Sequence, residues 1–174
     1  MKPYSAALWA RAPFQSGDAS AFASLVEGRW DGLVRLARSV VGESEAEDAV
    51  QDGLLIAWRK LAALRDADAF APWLTRLVLR TCLKRARWRR LRPWTSISAA
   101  PEPATVPNPA AGVEAARLLA RLAPRQRAVL HLTAVEGLSD GEIATILHIT
   151  AGSVRAHRRR ARERLAGILN GDFR

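Results

Sequence analysis

Cysteine is almost absent from this chain of 174 residues, which contains only Cys82. A single cysteine excludes an internal disulfide framework and any zinc site built on paired cysteines, so a reducing cytosol is the simple expectation. No apolar run approaches the roughly 18 residues that cross a bilayer, so we expect no membrane insertion. The opening residues, MKPYSAALWARAPF, lack the apolar stretch that is typical of a signal peptide.

Motifs of enzyme chemistry are also missing. The sequence has no glycine-rich phosphate loop, no HExxH or GxSxG pattern and no paired-carboxylate site. His131, His148 and His157 fall on different elements without carboxylate or cysteine companions. Cys82 lies in an apolar and basic stretch and is expected to be a small packing residue. We therefore expect no catalytic residue, no metal and no cofactor.

Positive charge is abundant and segregated. The chain has 27 basic and 17 acidic residues, which gives a net charge of +10. Residues 75–92 carry eight Lys or Arg and no acid, and residues 155–164 carry six Arg and one Glu, whereas residues 42–52 carry five acids and no base. Such a charge favours nucleic acid as a partner, and separate patches favour separate partners over plain solvated faces.

The pattern of the chain predicts an all-α fold with two small helical modules. Residues 93–112 contain five prolines and no helical periodicity, so they are predicted to form a linker. The first module spans residues 1–92 and the second spans residues 113–174. Within the first module, apolar residues recur at helical spacing from Phe22 to Val41, with Asp18 as the expected N-cap, a break near Gly28 and an end at Gly42.

A second helix is predicted to begin with a capping box, Ser44-x-x-Glu47. Its inward side carries Val50, Leu54, Ala57, Leu61 and Leu64. Asp48 and Asp52 lie on the other side, one turn apart, where they repel each other. The helix dipole favours acids near this N-terminus, but Glu45 and Glu47 already satisfy that effect. We therefore expect a basic partner surface opposite Asp48 and Asp52.

A third helix is predicted to open at Phe70, with Pro72 in its first turn. Its inward stripe comprises Phe70, Leu74, Leu77, Val78 and Thr81. A basic ridge at helical spacing comprises Trp73, Arg76, Arg80, Lys84 and Arg87. Trp73 and Trp88 lie among arginines, which fits either core packing or stacking on unpaired bases beside neutralised phosphates.

The second module contains a helix-turn-helix pattern. Ser139-x-x-Glu142 predicts a capped short helix, and His148 falls in the turn, where histidine tolerates a positive φ. A long helix follows from about Gly152 to Leu169. The apolar residues that would pack the two helices across the turn are Ile143, Ala144, Leu147, Ile149 and Val154. The arginines of the second helix favour DNA binding over an arbitrary helical corner.

Three stretches of the sequence occur in an order that resembles a known family. They are AEDAVQD at 46–52, FAPWLTRL at 70–77 followed by a basic helix and a proline-rich break, and LAPRQRAVLHLTAVEGLSDGEIATILHITAGSVRAHRRRARERL at 122–165. Together they resemble the extracytoplasmic-function (ECF, group IV) sigma factors of bacterial RNA polymerase, within the sigma-70 family. The helix-turn-helix alone also resembles LuxR-type output domains, but the ordered combination is specific.

The resemblance implies a non-enzymatic initiation factor that binds core RNA polymerase, directs it to specific promoters and helps melt the −10 region. The first module would bind the β′ coiled coil and the −10 element, and the second would place a helix in the −35 major groove. The implied partners are core polymerase, promoter DNA and an anti-sigma factor. The implied location is cytoplasmic, with nucleoid association when active.

The resemblance also implies three sets of contact residues. The polymerase-binding set is Glu47, Asp48, Gln51, Asp52 and Leu55. The −10 DNA-binding set is Arg65, Asp66, Phe70, Trp73, Arg76, Arg80, Lys84 and Arg87. The −35 DNA-binding set is Ser153, Arg155, Arg158, Arg159, Arg160 and Arg162.

Two other hypotheses remain open from the residues. A LuxR-like regulator would need a phosphoacceptor or ligand-binding domain before residue 110, and the basic, all-α first half offers neither. A sigma mimic that only titrates an anti-sigma protein would have no reason to keep the basic ridge or the arginine-rich second helix of the helix-turn-helix.

Overall fold

The computed structural model describes residues 19–66, 68–91 and 109–171. Within these ranges the chain forms eight α-helices and one 3₁₀ turn, with no strand, as the all-α prediction requires. The helices are α1 (Ala19–Glu27), α2 (Trp30–Val41), α3 (Glu43–Lys60), α4 (Phe70–Leu91), α5 (Pro109–Ala120), α6 (Pro124–Ala134), α7 (Asp140–Leu147) and α8 (Ala151–Leu169). The 3₁₀ turn, Leu61–Ala63, follows α3 directly.

Glycines separate the first helices as predicted. Gly28 and Arg29 form the turn between α1 and α2, and Gly42 separates α2 from α3 with a φ of 95°. The capping box at Ser44 is wrong. Helix α3 begins at Glu43, two residues earlier than a cap at Ser44 would allow, and no side chain caps it. Gly42 ends one helix and starts the next without a loop, so Ser44 already lies inside the first turn.

The first module is built around the crossing of α3 and α4. The inward stripe of α4 is buried as predicted, from Phe70 through Thr81. Gly53 of α3 faces Val78, and a Cβ at position 53 would come within 2.8 Å of the Val78 Cα and Cγ2 atoms. A side chain as small as a methyl group would therefore push the two helices apart.

The helix-turn-helix prediction is confirmed in detail. Ser139 is the N-cap of α7, where its Oγ accepts a hydrogen bond from the Glu142 amide and its own amide donates to the Glu142 carboxylate. His148 ends α7 with a φ of 52°. Thr150 caps α8 by accepting a hydrogen bond from the amide of Ser153.

The linker prediction ends too late. Helix α5 begins at Pro109, inside the range assigned to the linker, because proline fits the first turn of a helix, where its missing N–H costs nothing. The remainder of that range, and the expected N-cap Asp18, lie outside the described residues.

The two modules pack against each other. Helix α6 contacts α2 and α4, and α7 contacts α4, so Val129, Leu132 and Ile143 belong to the same apolar core as the first module. The guanidinium of Arg127 joins the modules by donating a hydrogen bond from Nη2 to the Val40 carbonyl at the end of α2. Burial, with the nearby charges of Arg89 and Arg90, lowers the pKa of Arg127 to about 10.

Candidate functional site

An acidic surface lies along the solvent side of α3. Its members are the exposed residues Glu47, Asp48, Gln51, Asp52 and Leu55. The opposite side of the same helix is buried through Ala46, Ala49, Val50 and Ala57. The side chain of Leu55 is 56% exposed, which makes it an apolar contact point among charges. The structure thus places the entire predicted polymerase-binding set on one accessible face, which we call the acidic surface.

Two arginines of α4 pair with acids of α3. Arg85 donates two hydrogen bonds to Asp52 Oδ2, at 3.2 Å from Nε and 2.5 Å from Nη2. Arg89 Nη1 lies 2.9 Å from Glu45 Oε1 and also donates to the Val41 carbonyl. Although partial burial opposes it, the hydrogen bonds and charge of Asp52 raise the pKa of Arg85.

The expectation that only a basic partner outside the chain balances Asp52 is therefore wrong. Arg85 supplies part of that balance from within the chain. The sequence did contain a signal for it. Asp52 follows Glu45 along α3, Arg89 follows Arg85 along α4, and the pairs run in reversed order, which is the pattern of antiparallel helices.

The basic ridge runs along α4 as predicted. Arg80, Lys84 and Arg87 are exposed, and Arg76 and Trp73 are half-buried. In the turn before α4, Arg65 and Asp66 are exposed, and the Asp66 carboxylate accepts a hydrogen bond from the Asp68 amide at 2.9 Å.

Phe70 departs from the expectation that it lines the path of a DNA strand, because its side chain is fully buried. It packs edge-on against Phe22 with ring centroids 6.4 Å apart, and its ring lies 6.0 Å from that of Trp73. Phe70 therefore packs beneath Trp73. Of the aromatic residues in the predicted −10 DNA-binding set, Trp73 is the one that reaches the surface. Phe70 belongs both to the predicted inward stripe of α4 and to the predicted −10 DNA-binding set, and its burial agrees with the inward stripe.

The second helix of the helix-turn-helix, α8, presents a row of arginines. Arg155, Arg159, Arg160 and Arg162 are exposed, and Ser153 is half-buried beside the N-cap. Arg158 behaves differently. It pairs with both oxygens of Asp140, at 2.5 and 3.2 Å, and only 23% of its side chain is exposed. Arg158 therefore clamps α8 to the start of α7.

Cys82 and His131 are two further titratable residues whose side chains are largely buried. Burial raises the pKa of the Cys82 thiol to about 12, which fits a packing residue and opposes a nucleophile. His131 of α6 lies between the modules, with its Nε2 3.4 Å from Glu136 Oε1. Among the described residues no cluster of three metal-ligating side chains occurs, and no helix there is long and apolar enough to cross a membrane.

Two family profiles match this chain. The sigma-70 region 2 profile matches residues 25–92, and the sigma-70 region 4 profile matches residues 113–165. The first range contains the acidic surface and the basic ridge, and the second contains the helix-turn-helix. The fold and its charged surfaces therefore define a sigma-70 type transcription factor.

Relatives of known function show to which group of sigma-70 factors this chain belongs. The ECF RNA polymerase sigma factor SigM of Mycobacterium tuberculosis is 35% identical over 159 residues, covering 88% of this chain and 80% of SigM. The sigma factor CnrH of Cupriavidus metallidurans is 31% identical over 173 residues, covering 90% of this chain and 91% of CnrH. The chain belongs to the ECF sigma factors, which direct RNA polymerase to promoters and initiate transcription.

Solved structures agree with this family. CnrH in complex with the cytosolic domain of CnrY matches with a TM-score of 0.65 and 29% identity, over 90% of this chain and 92% of CnrH. The sigma factor RpoE of Bartonella quintana in complex with the anti-sigma factor NepR matches with a TM-score of 0.69 and 25% identity, over 87% and 98% of the two chains.

Proposed function

We propose that the two modules divide the work of a sigma factor between three surfaces. The acidic surface on α3 binds core polymerase, the basic ridge on α4 holds the −10 strand, and α8 enters the −35 major groove. The observation that carries this proposal is the separation of charge along the chain: the exposed charges from Glu47 to Asp52 on α3 are all acids, those on α4 are all bases, and those on α8 are bases except Glu163. The protein then acts by binding alone, without catalysis of its own.

The acidic surface suits a basic helical partner such as the β′ coiled coil. Asp48 and Asp52 supply charge that steers association, and Leu55 supplies an apolar contact one turn beyond them along α3. The pairing of Asp52 with Arg85 holds its carboxylate in one orientation, so less side-chain freedom is lost on binding.

The ridge on α4 suits a single strand of DNA. Arg80, Lys84 and Arg87 can neutralise successive phosphates, and Trp73 offers an aromatic face at the N-terminal end of the ridge. Strand separation then becomes favourable, because the contacts of the protein with one unstacked strand offset the free energy of separating the base pairs. The exposed Arg65 and Asp66 lie at the entrance to this ridge.

The row of arginines on α8 suits a duplex. Arginine can be bidentate to guanine in the major groove or can hold phosphate, and the cap at Thr150 presents the start of the helix. The exposed arginines that could do so are Arg155, Arg159, Arg160 and Arg162, of which Arg155 and Arg159 also form exposed ion pairs with Asp140 and Glu163. Arg158 contributes to DNA binding indirectly, because its ion pair with Asp140 holds α8 against the start of α7.

Simultaneous contact with both promoter elements requires the modules to separate. Helix α4 packs on α7, and α7 packs on α8, so about 20 Å separates the axes of α4 and α8 at typical helix spacing. The usual promoter spacing of the family corresponds to about 60 Å at roughly 3.4 Å per base pair. The packed arrangement therefore represents the factor before it occupies a promoter.

A protein that masks these surfaces would keep the factor inactive. CnrH is solved in complex with the cytosolic domain of CnrY, and RpoE of Bartonella quintana is solved in complex with the anti-sigma factor NepR. We extend this to the present chain, which would be held by an anti-sigma factor in the cytoplasm and would join the nucleoid when released.

In vitro transcription tests the proposal. Core RNA polymerase with this protein should initiate at discrete sites in a library of genomic fragments, and core polymerase alone should not. A matched control carries Asp48→Lys and Asp52→Lys, which should abolish initiation while the fold is retained. A LuxR-like regulator would bind DNA but need another sigma factor to initiate. A decoy would give no transcripts at all.

A further inference from the structure

An apolar groove lies in the first module among its first three helices. It has a volume of about 590 Å³ and lies between α1 and the start of α2, with one side closed by α3. Its lining residues are Phe22, Ala23, Val26, Glu27, Trp30, Asp31 and Leu54. The two acids stand at the exposed margin, and the lining contains no base.

The segment that enters α1 has the opposite character. Residues 1–17 contain Lys2 and Arg11 and no acid, together with large apolar side chains at Tyr4, Leu8, Trp9 and Phe14. The segment is therefore complementary to the groove both in charge and in apolar content. A neutral or acidic peptide would leave Glu27 and Asp31 without counter-charges.

The connection is short enough to favour binding within one chain. The segment joins α1 at Ala19, and Ala23 of that helix already lines the groove. Helix α1 has nine residues and is about 13 Å long at 1.5 Å per residue, a span that about four extended residues cover. Tethering by so short a connection gives an effective concentration of about millimolar, so a weak intrinsic affinity suffices.

We propose that residues 1–17 of this chain occupy the groove in cis. Trp9 and Phe14 fill the apolar floor, and Arg11 pairs with Glu27 and Asp31 at the margin. The burial of one aromatic side chain contributes enough to hold a tethered segment in place.

The groove also connects to the basic ridge. Phe22 forms one wall, and its ring packs edge-on against Trp58 at 5.3 Å and against Phe70 at 6.4 Å. Phe70 in turn supports Trp73. A docked segment would fix this aromatic stack and hence the face that Trp73 offers to a −10 base. This second step rests on the proposed function, whereas the docking itself does not.

Paramagnetic relaxation in the full-length protein, without polymerase or DNA, tests the docking. A nitroxide is attached at Ser5→Cys, and Cys82 does not react because it is buried. The amide signals of Ala23, Glu27 and Asp31 should lose about half their intensity or more, because the tethered segment is bound most of the time. Adding Trp9→Ala and Phe14→Ala should restore these signals, and a groove variant, Ala23→Arg, should do the same. Ala115→Arg, at an exposed position on α5, is the matched control and should leave the loss intact.

Three results would overturn the proposal. The signals could keep full intensity, or the loss could survive Trp9→Ala with Phe14→Ala. The loss could also appear between a labelled and an unlabelled molecule in a mixture, which would make a second copy the occupant. For the link to promoter opening, the Trp9→Ala and Phe14→Ala variant should open a linear promoter more slowly than the Ala115→Arg control. Equal rates would overturn that link and leave the docking result standing.

Discussion

The carboxylate of Asp52 on α3 is bound by the guanidinium of Arg85 on α4, with a shortest nitrogen–oxygen distance of 2.5 Å. The pair connects the acidic surface to the helix that carries the basic ridge. Half of the Asp52 side chain remains exposed. The same carboxylate therefore has both an internal partner and a surface that another molecule can reach.

A charge swap separates these two roles. Asp52→Lys alone should lower the free energy of unfolding by about 0.2–1 kcal/mol, since it breaks a partly exposed ion pair. Asp52→Arg combined with Arg85→Asp should restore most of that stability. Polymerase binding should be lost in both variants, because each replaces an exposed carboxylate of the acidic surface with a positive charge. Thermal denaturation and pull-down of core polymerase measure the two quantities.

The expectation is contradicted if the swapped pair recovers polymerase binding together with stability. Asp52 would then serve only to hold α3 against α4. Among the described residues Asp48 forms no ion pair, so Asp48→Lys is the control that reports on the acidic surface alone.

Two neighbouring arginines of α8 should give opposite results when replaced. Arg158→Ala should destabilise the helix-turn-helix by about 1–2 kcal/mol, because it removes a bidentate pair with Asp140. Arg159→Ala removes only an exposed ion pair with Glu163, so it should cost about 0.5 kcal/mol of stability or less, and it should weaken DNA binding. If Arg159 reads a base, its loss should cost about 1–3 kcal/mol of DNA-binding free energy at one base position. If it holds a phosphate, the slope of the logarithm of the binding constant against the logarithm of the salt concentration should become smaller by about one.

Denaturation and fluorescence anisotropy over a salt series distinguish these cases. Loss of DNA affinity in Arg158→Ala at unchanged stability would place Arg158 in the DNA interface instead of the clamp. Arg160→Ala provides a second exposed variant for comparison with Arg159→Ala.

The basic ridge should contribute most to promoter opening when the −10 DNA is still double-stranded. Arg80→Ala with Lys84→Ala should slow open-complex formation on a linear duplex, because it removes two exposed charges that we propose to hold the displaced strand. A template with a premelted −10 bubble should recover much of the loss, since strand separation no longer has to be driven. Permanganate footprinting on both templates measures this difference. Equal defects on the two templates would indicate plain duplex affinity.

Gly53 should not tolerate a methyl group. Gly53→Ala places a Cβ 2.8 Å from the backbone of Val78, so α3 and α4 must shift, at about 1–3 kcal/mol. Gly32→Ala is the matched control on α2, where the nearest atom is the flexible end of Arg35 at 3.8 Å. The control should gain roughly 0.5–1 kcal/mol from helix propensity. Equal stability of the two variants in urea denaturation would contradict the close packing at Gly53.

His131 should make the packed fold sensitive to acid. Burial lowers the pKa of His131, with Glu136 opposing the shift and Arg35 of α2 adding to it. The unfolded chain takes up a proton below about pH 6.5, where the folded chain does not. Stability is therefore unaffected above that pH and falls below it, by at most about 1.4 kcal/mol per pH unit.

Urea denaturation between pH 7.5 and 5.5 checks the effect. His131→Gln should lose less stability over this window than the unchanged chain. The comparison also removes the contribution of His157, whose pKa is lowered by burial and by Arg125 and Arg160. A parallel decline in both proteins would assign the acid sensitivity to other groups.

Local patterns determined most of the helices of this protein. The inward stripe from Phe70 to Thr81, the cap at Ser139 and the positive φ of His148 follow from spacing and residue type within a few positions along the chain. The acidic surface follows in the same way, because helical periodicity alone places Asp48 and Asp52 opposite the buried side of α3.

Long-range contacts were decided by the tertiary structure alone. Spacing could not reveal that Arg127 reaches the Val40 carbonyl, that Arg158 clamps Asp140 or that Phe70 lies beneath Trp73. The sequence predicted two modules on a proline-rich linker, whereas the structure packs α6 and α7 onto α2 and α4. The physical reason is that periodicity shows which side of a helix is apolar but not which other helix covers it. Partners far apart in sequence are set by three-dimensional packing.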